Sequence, residues 1–134
     1  MEVRDRIPGD IYRQCVAIAG SYYSMLKRRR ELEEQILCGS PRSDGQPKGS
    51  GTGDPTARKA ERLVIAKERN EWKIRAVEQA WCRMVDEMDR DFIKQNVFEH
   101  KFMKEIDLPM SERTMQRKRH QFMRYLAEEM GEIL

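Results

Sequence analysis

Apolar residues recur at alternating spacings of three and four between residues 11 and 36. This spacing is typical of an amphipathic helix with a narrow apolar seam, of the kind found in coiled coils. We expect Asp10 to cap this helix and Gly39 to end it, because both residue types favour those positions. The seam consists of Ile11, Cys15, Ile18, Tyr22, Met25, Leu32 and Ile36, with Arg29 in one slot.

A second apolar stripe follows residues 39–53, whose glycine, serine and proline content is typical of a flexible loop. Asp54-Pro55 marks a helix start, and no further glycine or proline occurs until Pro109. Because one helix over that whole span would be unusually long, we expect a break between Trp81 and Asp91. The stripe comprises Ala57, Ala60, Val64, Ile74, Val77, Trp81, Val85, Met88 and Phe92.

The composition favours thin layers of helices over a thick core. Of the 134 residues, 39% are hydrophobic and 37% are charged, and this length predicts one compact domain with or without an appendage. The two long helices are therefore expected to pack as an antiparallel hairpin. We expect Trp72 and Trp81 to be core or interface anchors.

A short helix and a turn are predicted next. Asn96 followed by Glu99 resembles a capping box, which marks a helix start. Residues 107–110 predict a tight turn, because Pro109 disfavours helix at the residue before it. The apolar face of this short helix would consist of Phe98, Phe102, Met103 and Ile106.

The last predicted helix begins at the N-cap Ser111, runs to about Met130 and ends at Gly131. At 100° per residue, its apolar and basic residues lie on opposite sides. Between Arg113 and Arg124 there are five basic residues, one histidine and no acid. The apolar sector holds Met115, Phe122, Leu126 and Met130, and the opposite sector holds Arg113, Arg117, His120 and Arg124.

The order of short helix, tight turn and serine-capped helix is typical of a helix-turn-helix motif, whose second helix enters the major groove of DNA. Arginine can bind guanine or phosphate with two hydrogen bonds. We expect Arg119 to point toward the packed side and to snorkel or pair with an acid. The candidate base readers are Glu112, Arg113, Gln116 and Arg117; Ser111 or Thr114 could bind a phosphate, and Lys118, His120 and Arg124 could follow the backbone. A solvated basic face is the alternative interpretation.

The sequence predicts that the protein is not an enzyme. His100 and His120 lie on separate predicted helices, and the linker glycines lack the pattern of a phosphate-binding loop. The three cysteines, Cys15, Cys38 and Cys82, have no metal-ligand spacing, so we expect no cofactor, no metal site and reduced, mostly buried thiols. No segment is apolar enough for a membrane span, and we expect a cytoplasmic location.

Two stretches carry a family resemblance: Asp54 to Ala60, and Ser111 to Arg119 leading into Phe122 to Gly131. Together they resemble the RinA/ArpU-like phage transcriptional regulators, whose C-terminal part is similar to the helix-turn-helix of sigma factor region 4. The resemblance covers roughly residues 20–134 in order. Met115 stands where such proteins often have an aromatic residue.

The resemblance implies an activator of late phage or prophage genes that binds duplex DNA upstream of its operon. It places the recognition helix on Ser111 to Arg124. Nothing in the chain resembles the sigma region that melts promoter DNA, so an accessory activator is expected rather than a complete sigma factor.

The resulting expectation is an all-α protein with a long helical hairpin in residues 1–92 and a helix-turn-helix in residues 93–134. Its expected partner is double-stranded DNA, with host RNA polymerase and a second copy as further hypotheses. Two alternatives stay open: a DNA-packaging protein like a phage terminase small subunit, and a helical interaction module that does not bind DNA. The net charge of +3 does not separate them, because clustering on one face matters more than the total.

Overall fold

The computed structural model describes residues 6–38 and 55–134, and these residues form an all-helical protein. This part of the chain contains no β-strand, as the fold class predicted. The predicted loop at 39–53, the stop at Gly39 and the cap at Asp54 lie outside the described residues. The helices are α1 (Gly9–Gly20), α2 (Tyr22–Cys38), α3 (Pro55–Cys82), α4 (Glu87–Ile93) and α5 (Glu112–Glu129), with a π-helical turn at Lys94–Phe98 and a 3-10 turn at Met103–Glu105.

The first predicted helix is two helices, because the chain is interrupted at Ser21. The Ser21 hydroxyl donates a 2.8 Å hydrogen bond to the carbonyl oxygen of Ala17, in competition with the regular backbone pattern. Gly20 before it is a weak helix former. The predicted seam nevertheless holds across the interruption, since every one of its seven apolar residues is buried or half-buried.

The predicted cap at Asp10 is wrong. Helix α1 begins at Gly9, and Pro8 occupies the N-cap position without a side-chain hydrogen bond. The amide of Tyr12 donates to the carbonyl oxygen of Pro8, which starts the helical pattern earlier than expected. Asp10 therefore lies within the first turn, where a negative charge is still favourable.

The break predicted between Trp81 and Asp91 is confirmed. Helix α3 ends at Cys82 and α4 begins at Glu87. Asp86 causes the restart, because its carboxylate accepts a 2.9 Å hydrogen bond from the amide of Met88. The stripe through this region is only partly buried: Ile74, Val77 and Phe92 are in the core and Trp81 is half-buried, but Ala57, Ala60, Val64, Val85 and Met88 are exposed.

The predicted short helix from Asn96 is wrong. Residues 94–98 continue α4 as a π-helical turn, and His100 then adopts the left-handed conformation with φ 61°. The chain changes direction there, so the helical spacing that placed Phe102 on an apolar face no longer applies, and Phe102 is 74% exposed. A three-residue 3-10 turn, Met103–Glu105, precedes the segment with Pro109.

The chain divides by contact into two compact units, residues 1–23 with 73–134, and residues 24–72. In the first of these units α1 packs against α5, although the two helices are far apart in the sequence. The larger unit holds most of the core. Its largest fully buried side chains are Phe92, Phe122, Ile74, Ile93, Met123, Leu126, Val77 and Cys15, and burial of one large apolar side chain stabilises a fold by about 1.5–3 kcal/mol.

The smaller unit consists of parts of α2 and α3 joined by polar contacts. The buried amide of Asn70 donates a 2.9 Å hydrogen bond to the carbonyl oxygen of Met25. Arg29 pairs with Glu71 at 2.8 Å. Trp72 is 48% exposed, so it is not a core residue.

The cysteines are free, but the expectation that they are mostly buried is wrong: Cys15 is buried, whereas Cys38 and Cys82 are exposed. Cys38 is the last residue of α2 and Cys82 the last of α3, where less of the fold covers a side chain. In the described ranges, no helix combines the length and apolar character that a bilayer crossing requires.

Candidate nucleic-acid interface

Helix α5 begins and ends where the sequence predicts. The Oγ atom of Ser111 accepts a 3.1 Å hydrogen bond from the amide of Thr114, as an N-cap should. The same hydroxyl donates to the Oγ1 atom of Thr114 at 3.0 Å. At the other end, Gly131 has φ 76°, the conformation that favours glycine after a helix.

The apolar side of α5 is docked as predicted. Met115, Phe122, Leu126 and Met130 are all buried. Phe122 lies edge-on to Phe98, with ring centroids 6.1 Å apart. This docking fixes which side of α5 faces outward.

Arg113 and Arg117 lie on the side of α5 opposite its apolar side, where their side chains are open to solvent. Both are exposed, and neither has an ion pair or a side-chain hydrogen bond within the described parts of the chain. Glu112 and Gln116, the other candidate base readers, are also exposed. The structure therefore places these four side chains on the accessible first half of the helix.

Lys118 is in a different environment from the open arginines. Its Nζ atom lies 2.9 Å from Oδ2 of Asp89 on α4, and the side chains of Lys118 and Asp89 are only 26% and 12% exposed. This ion pair could not be predicted from the sequence, because the two residues are far apart in the chain. Lys118 thus joins two helices and is not part of the open basic surface.

Arg124 also has an acidic partner. Its Nε atom lies 3.4 Å from Oε2 of Glu128, one turn later on the same helix. The other oxygen of Glu128 lies 2.7 Å from Nη2 of Arg83, and Nη1 of Arg83 lies 3.2 Å from Glu129. Arg124, a member of the predicted basic sector, is therefore paired with an acid, and its spacing of four to Glu128 was the sequence signal for this pair.

The side chain of Arg119 points toward the packed side, as expected, but its partners are neutral. Its Nη1 atom donates a 2.7 Å hydrogen bond to Oδ1 of Asn96 in the π-helical turn. Its Nε atom donates to the hydroxyl of Tyr12 on α1 at 3.4 Å. Arg119 thereby links three parts of the larger unit, and Asn96, expected to be a cap, is instead an acceptor between them.

His120 lies beside the open arginines and stacks on Tyr12. The two rings are 6.0 Å apart between centroids, at an angle of 19°. Sequence reasoning about DNA contacts overlooked Tyr12, because its position on α1 is far in the chain from the basic residues of α5. Its position matters because it marks where α1 meets the candidate surface.

Two side chains in this unit have a displaced pKa. Burial is the main reason that the pKa of the Cys15 thiol rises from 9.0 to about 11, and the carboxylate of Glu132 adds to the shift. Burial alone would lower the pKa of Arg83, but the hydrogen bonds and charges of Glu128 and Glu129 outweigh it and raise the pKa. Arg83 also lies over the ring of Tyr125, 4.1 Å from its centroid.

Within residues 6–38 and 55–134, no group of three or more histidine, cysteine, aspartate or glutamate side chains could hold a metal ion. Comparisons with protein-family models, with curated proteins and with solved structures gave no match for this chain. The functional interpretation therefore depends on the geometry of α5 and on the resemblance described above.

Proposed function

We propose that this protein is a sequence-specific regulator that binds duplex DNA and activates late genes of a phage or prophage. Helix α5 enters the major groove, and Arg113, Arg117 and Gln116 contact base edges. The observation that carries the proposal is that α5 is docked along its apolar side while Arg113 and Arg117 stay exposed without a partner in the described structure. In an ordinary solvated helix of a glutamate-rich chain, nearby acids would neutralise both.

The proposed helix-turn-helix consists of α4 with its π-helical turn as the first helix and α5 as the second. The connection, residues 99–111, is longer than the tight turn that the sequence predicts. Lys118 supports this assignment, because its ion pair with Asp89 fixes α5 against α4. In this proposal Lys118 positions the helix, and the base-reading and phosphate-binding roles belong to the exposed residues.

Helices α2 and α3 provide the remaining part of the proposal, an antiparallel hairpin that contacts host RNA polymerase or a second copy. The ion pairs Arg29–Glu71 and Lys67–Glu33 support the antiparallel order, because the higher number on α2 pairs with the lower number on α3. The exposed Val64 and Ile65 give that unit apolar surface for a partner. A cytoplasmic location in the bacterial host follows from this function.

Selection from a random pool of duplex DNA tests the function. We expect enrichment of one motif by the wild-type chain and loss of that enrichment in Arg113→Ala/Arg117→Ala. Arg28→Ala/Arg30→Ala on α2 is the matched control, because it removes the same charge from two other exposed positions. Light scattering on the same sample separates a regulator from a packaging protein.

A ring of many subunits would favour packaging, and absence of DNA binding would favour the interaction module. Equal enrichment by the wild type and the Arg113/Arg117 variant would contradict the assignment of α5 as the reading helix.

A further inference from the structure

We propose that a second copy of this chain packs against the groove between the end of α2 and the start of α3, so that two α2–α3 hairpins form a four-helix bundle. The groove is lined by residues in the ranges 31–38 and 56–64, and we call it the hairpin groove. The inference rests on the part of the proposed function that gives this hairpin a partner, and it names that partner. Three observations lead to it: where burial along the hairpin stops, which apolar side chains line the groove, and how charge is divided between its two walls.

The hairpin has buried residues at one end only. Leu32 is the last buried residue of α2, and Asn70 is the first buried residue of α3. From Pro55 to Arg69, no residue of α3 is buried. A helical stretch of this length is marginal in water by itself, and packing of one face provides most of its stability. The first half of α3 therefore needs a partner that the described residues of one chain do not provide.

The hairpin groove offers apolar side chains to such a partner. It has a volume of about 920 Å³, and Ile36, Leu63 and Val64 are among its lining residues. Ile36 and Leu63 are half-buried, and Val64 is 46% exposed. Ile36 and Val64 continue the seam of α2 and the apolar stripe of α3 beyond the buried part of the hairpin. Apolar surface of this kind, rimmed by charged residues, is typical of a protein interface, and helices with such seams pack as bundles.

The two walls of the hairpin groove carry opposite charges. Among its lining residues, α2 contributes the acids Glu31 and Glu34, and α3 contributes Lys59. All three are exposed, and within residues 6–38 and 55–134 none of them has an ion pair. The acids and the lysine of one chain therefore lie further apart than an ion pair allows, and their charges are available to a partner.

A second copy supplies the complementary charges when the two-fold axis runs along the hairpins. That axis places α2 of one copy opposite α3 of the other, so the acids of each copy face the lysine of its partner. Neighbouring helices are then antiparallel all around, as in an up-and-down four-helix bundle. An axis across the hairpins would instead place α2 against α2, with acids facing acids. Charge complementarity therefore selects the first arrangement.

The test measures the molar mass of the full chain without DNA, by light scattering and sedimentation over a range of concentrations. We expect two chains at high concentration and one chain on dilution. Glu31→Lys/Glu34→Lys and Lys59→Glu should each weaken the dimer by about tenfold or more, because each change occurs twice across the axis and brings like charges together. The single chain should stay as stable as wild type, because these side chains have no ion pair within it. The matched controls at exposed positions of α3 outside the groove are Glu61→Lys/Glu68→Lys and Lys73→Glu.

A mixture of the two charge variants makes the test specific for a second copy. One chain of each kind places lysines opposite acids at both contacts, whereas either variant alone places like charges there. We expect the mixture to have the mass of two chains at concentrations at which each variant alone is a single chain. A charge effect within one chain could not be restored by mixing.

Cys38 gives a second readout, because it lines the hairpin groove and is exposed in a single chain. On dilution its labelling by iodoacetamide should be as fast as that of the exposed Cys82. At concentrations that favour the dimer, the labelling of Cys38 should become slower than that of Cys82. Equal labelling of both at all concentrations would contradict coverage of the groove.

The remaining outcomes separate this inference from DNA binding. If the wild type is a single chain at every concentration, the second copy is refuted, and host RNA polymerase becomes the partner to test. Enrichment of a DNA motif by that single chain would leave the DNA-binding part of the proposed function standing. A dimer that enriches no motif would refute DNA binding and support the inference. A dimer that both charge variants leave unchanged, or that mixing does not restore, would refute the hairpin groove as its interface. Circular dichroism of each variant excludes loss of folding as the cause.

Discussion

Lys118 and Asp89 form an ion pair of 2.9 Å that joins α5 to α4, and Asp89 is the only charged residue that is buried in the described parts of the chain. Removal of the lysine leaves a buried carboxylate without its cation. We expect Lys118→Met to lower the free energy of unfolding by about 1–3 kcal/mol, the cost of an unsatisfied buried polar group. Urea denaturation followed by circular dichroism measures this loss.

A double variant provides the control for that pair. Lys118→Met/Asp89→Leu removes both charges, so it should be more stable than Lys118→Met alone, because replacing both partners avoids the isolated charge. The exposed Lys59 on α3 gives the reference, and Lys59→Met should change stability by less than about 0.5 kcal/mol. If Lys118→Met and Lys59→Met have equal effects, the ion pair does not stabilise the fold.

Replacement of each arginine on the basic side of α5 should lower the affinity for DNA by a different amount. Arg117→Ala should cost about 1–3 kcal/mol on the selected duplex and relax one base position, since Arg117 is exposed and has no partner to release. Arg124→Ala should cost less, because Arg124 already pairs with Glu128 and must give up that contact to bind DNA. Fluorescence anisotropy with labelled duplexes measures both, and a greater loss for Arg124→Ala would reverse the assignment.

Helix α5 shows why one part of the fold could be predicted from the sequence. Ser111, the buried sector from Met115 to Met130 and Gly131 are all local features, and a helix between a good cap and a glycine stop needs little help from distant residues. The break before Glu87 was also predictable, because one helix over the whole span would be unusually long. The exposure of Phe102 was not predictable, because the position of this residue depends on a π-helical turn that the spacing of apolar residues does not encode.

The candidate site was harder to predict than its helix. Arg113 and Arg117 are exposed, as the helical periodicity predicts. Lys118, however, pairs with Asp89, and Arg119 donates a hydrogen bond to Asn96. These two partners approach only after α4 and the π-helical turn have packed. Periodicity gives the direction of a side chain but not what meets it. The pair of Arg124 and Glu128 is the exception, because both residues are on one helix at a spacing that the sequence shows.

The three thiols should differ in reactivity. Burial raises the pKa of Cys15 to about 11, so at pH 8 almost none of it is the reactive thiolate, whereas Cys38 and Cys82 are exposed. We expect mass spectrometry after brief iodoacetamide treatment to find two labels on the native chain and three in denaturant. A third label on the native chain at the rate of the others would show that Cys15 is accessible.

The Cys15 shift also predicts a direction for stability against pH. The folded state holds the proton more tightly than the unfolded chain, whose thiol has a pKa near 9.0. The contribution of the Cys15 thiol to the free energy of unfolding is therefore complete below pH 9 and is lost as the pH rises toward about 11. Urea denaturation between about pH 8 and pH 11 should show a smaller decline in stability for Cys15→Ala than for wild type.

The start of α5 should depend on the side chain of Ser111. Ser111→Ala removes the acceptor for the amide of Thr114 and should lower the free energy of unfolding by about 0.5–2 kcal/mol, whereas Ser111→Asp should retain most of the stability. Ser24→Ala is the matched control, since Ser24 is exposed within α2 and alanine there is the better helix former. Because the cap orders the turn that carries Glu112 and Arg113, Ser111→Ala should also weaken binding to the selected duplex. Ser111→Asp separates the effect on stability from the effect on binding. If Ser111→Asp restores stability but still binds poorly, its carboxylate is repelled by a phosphate near the cap.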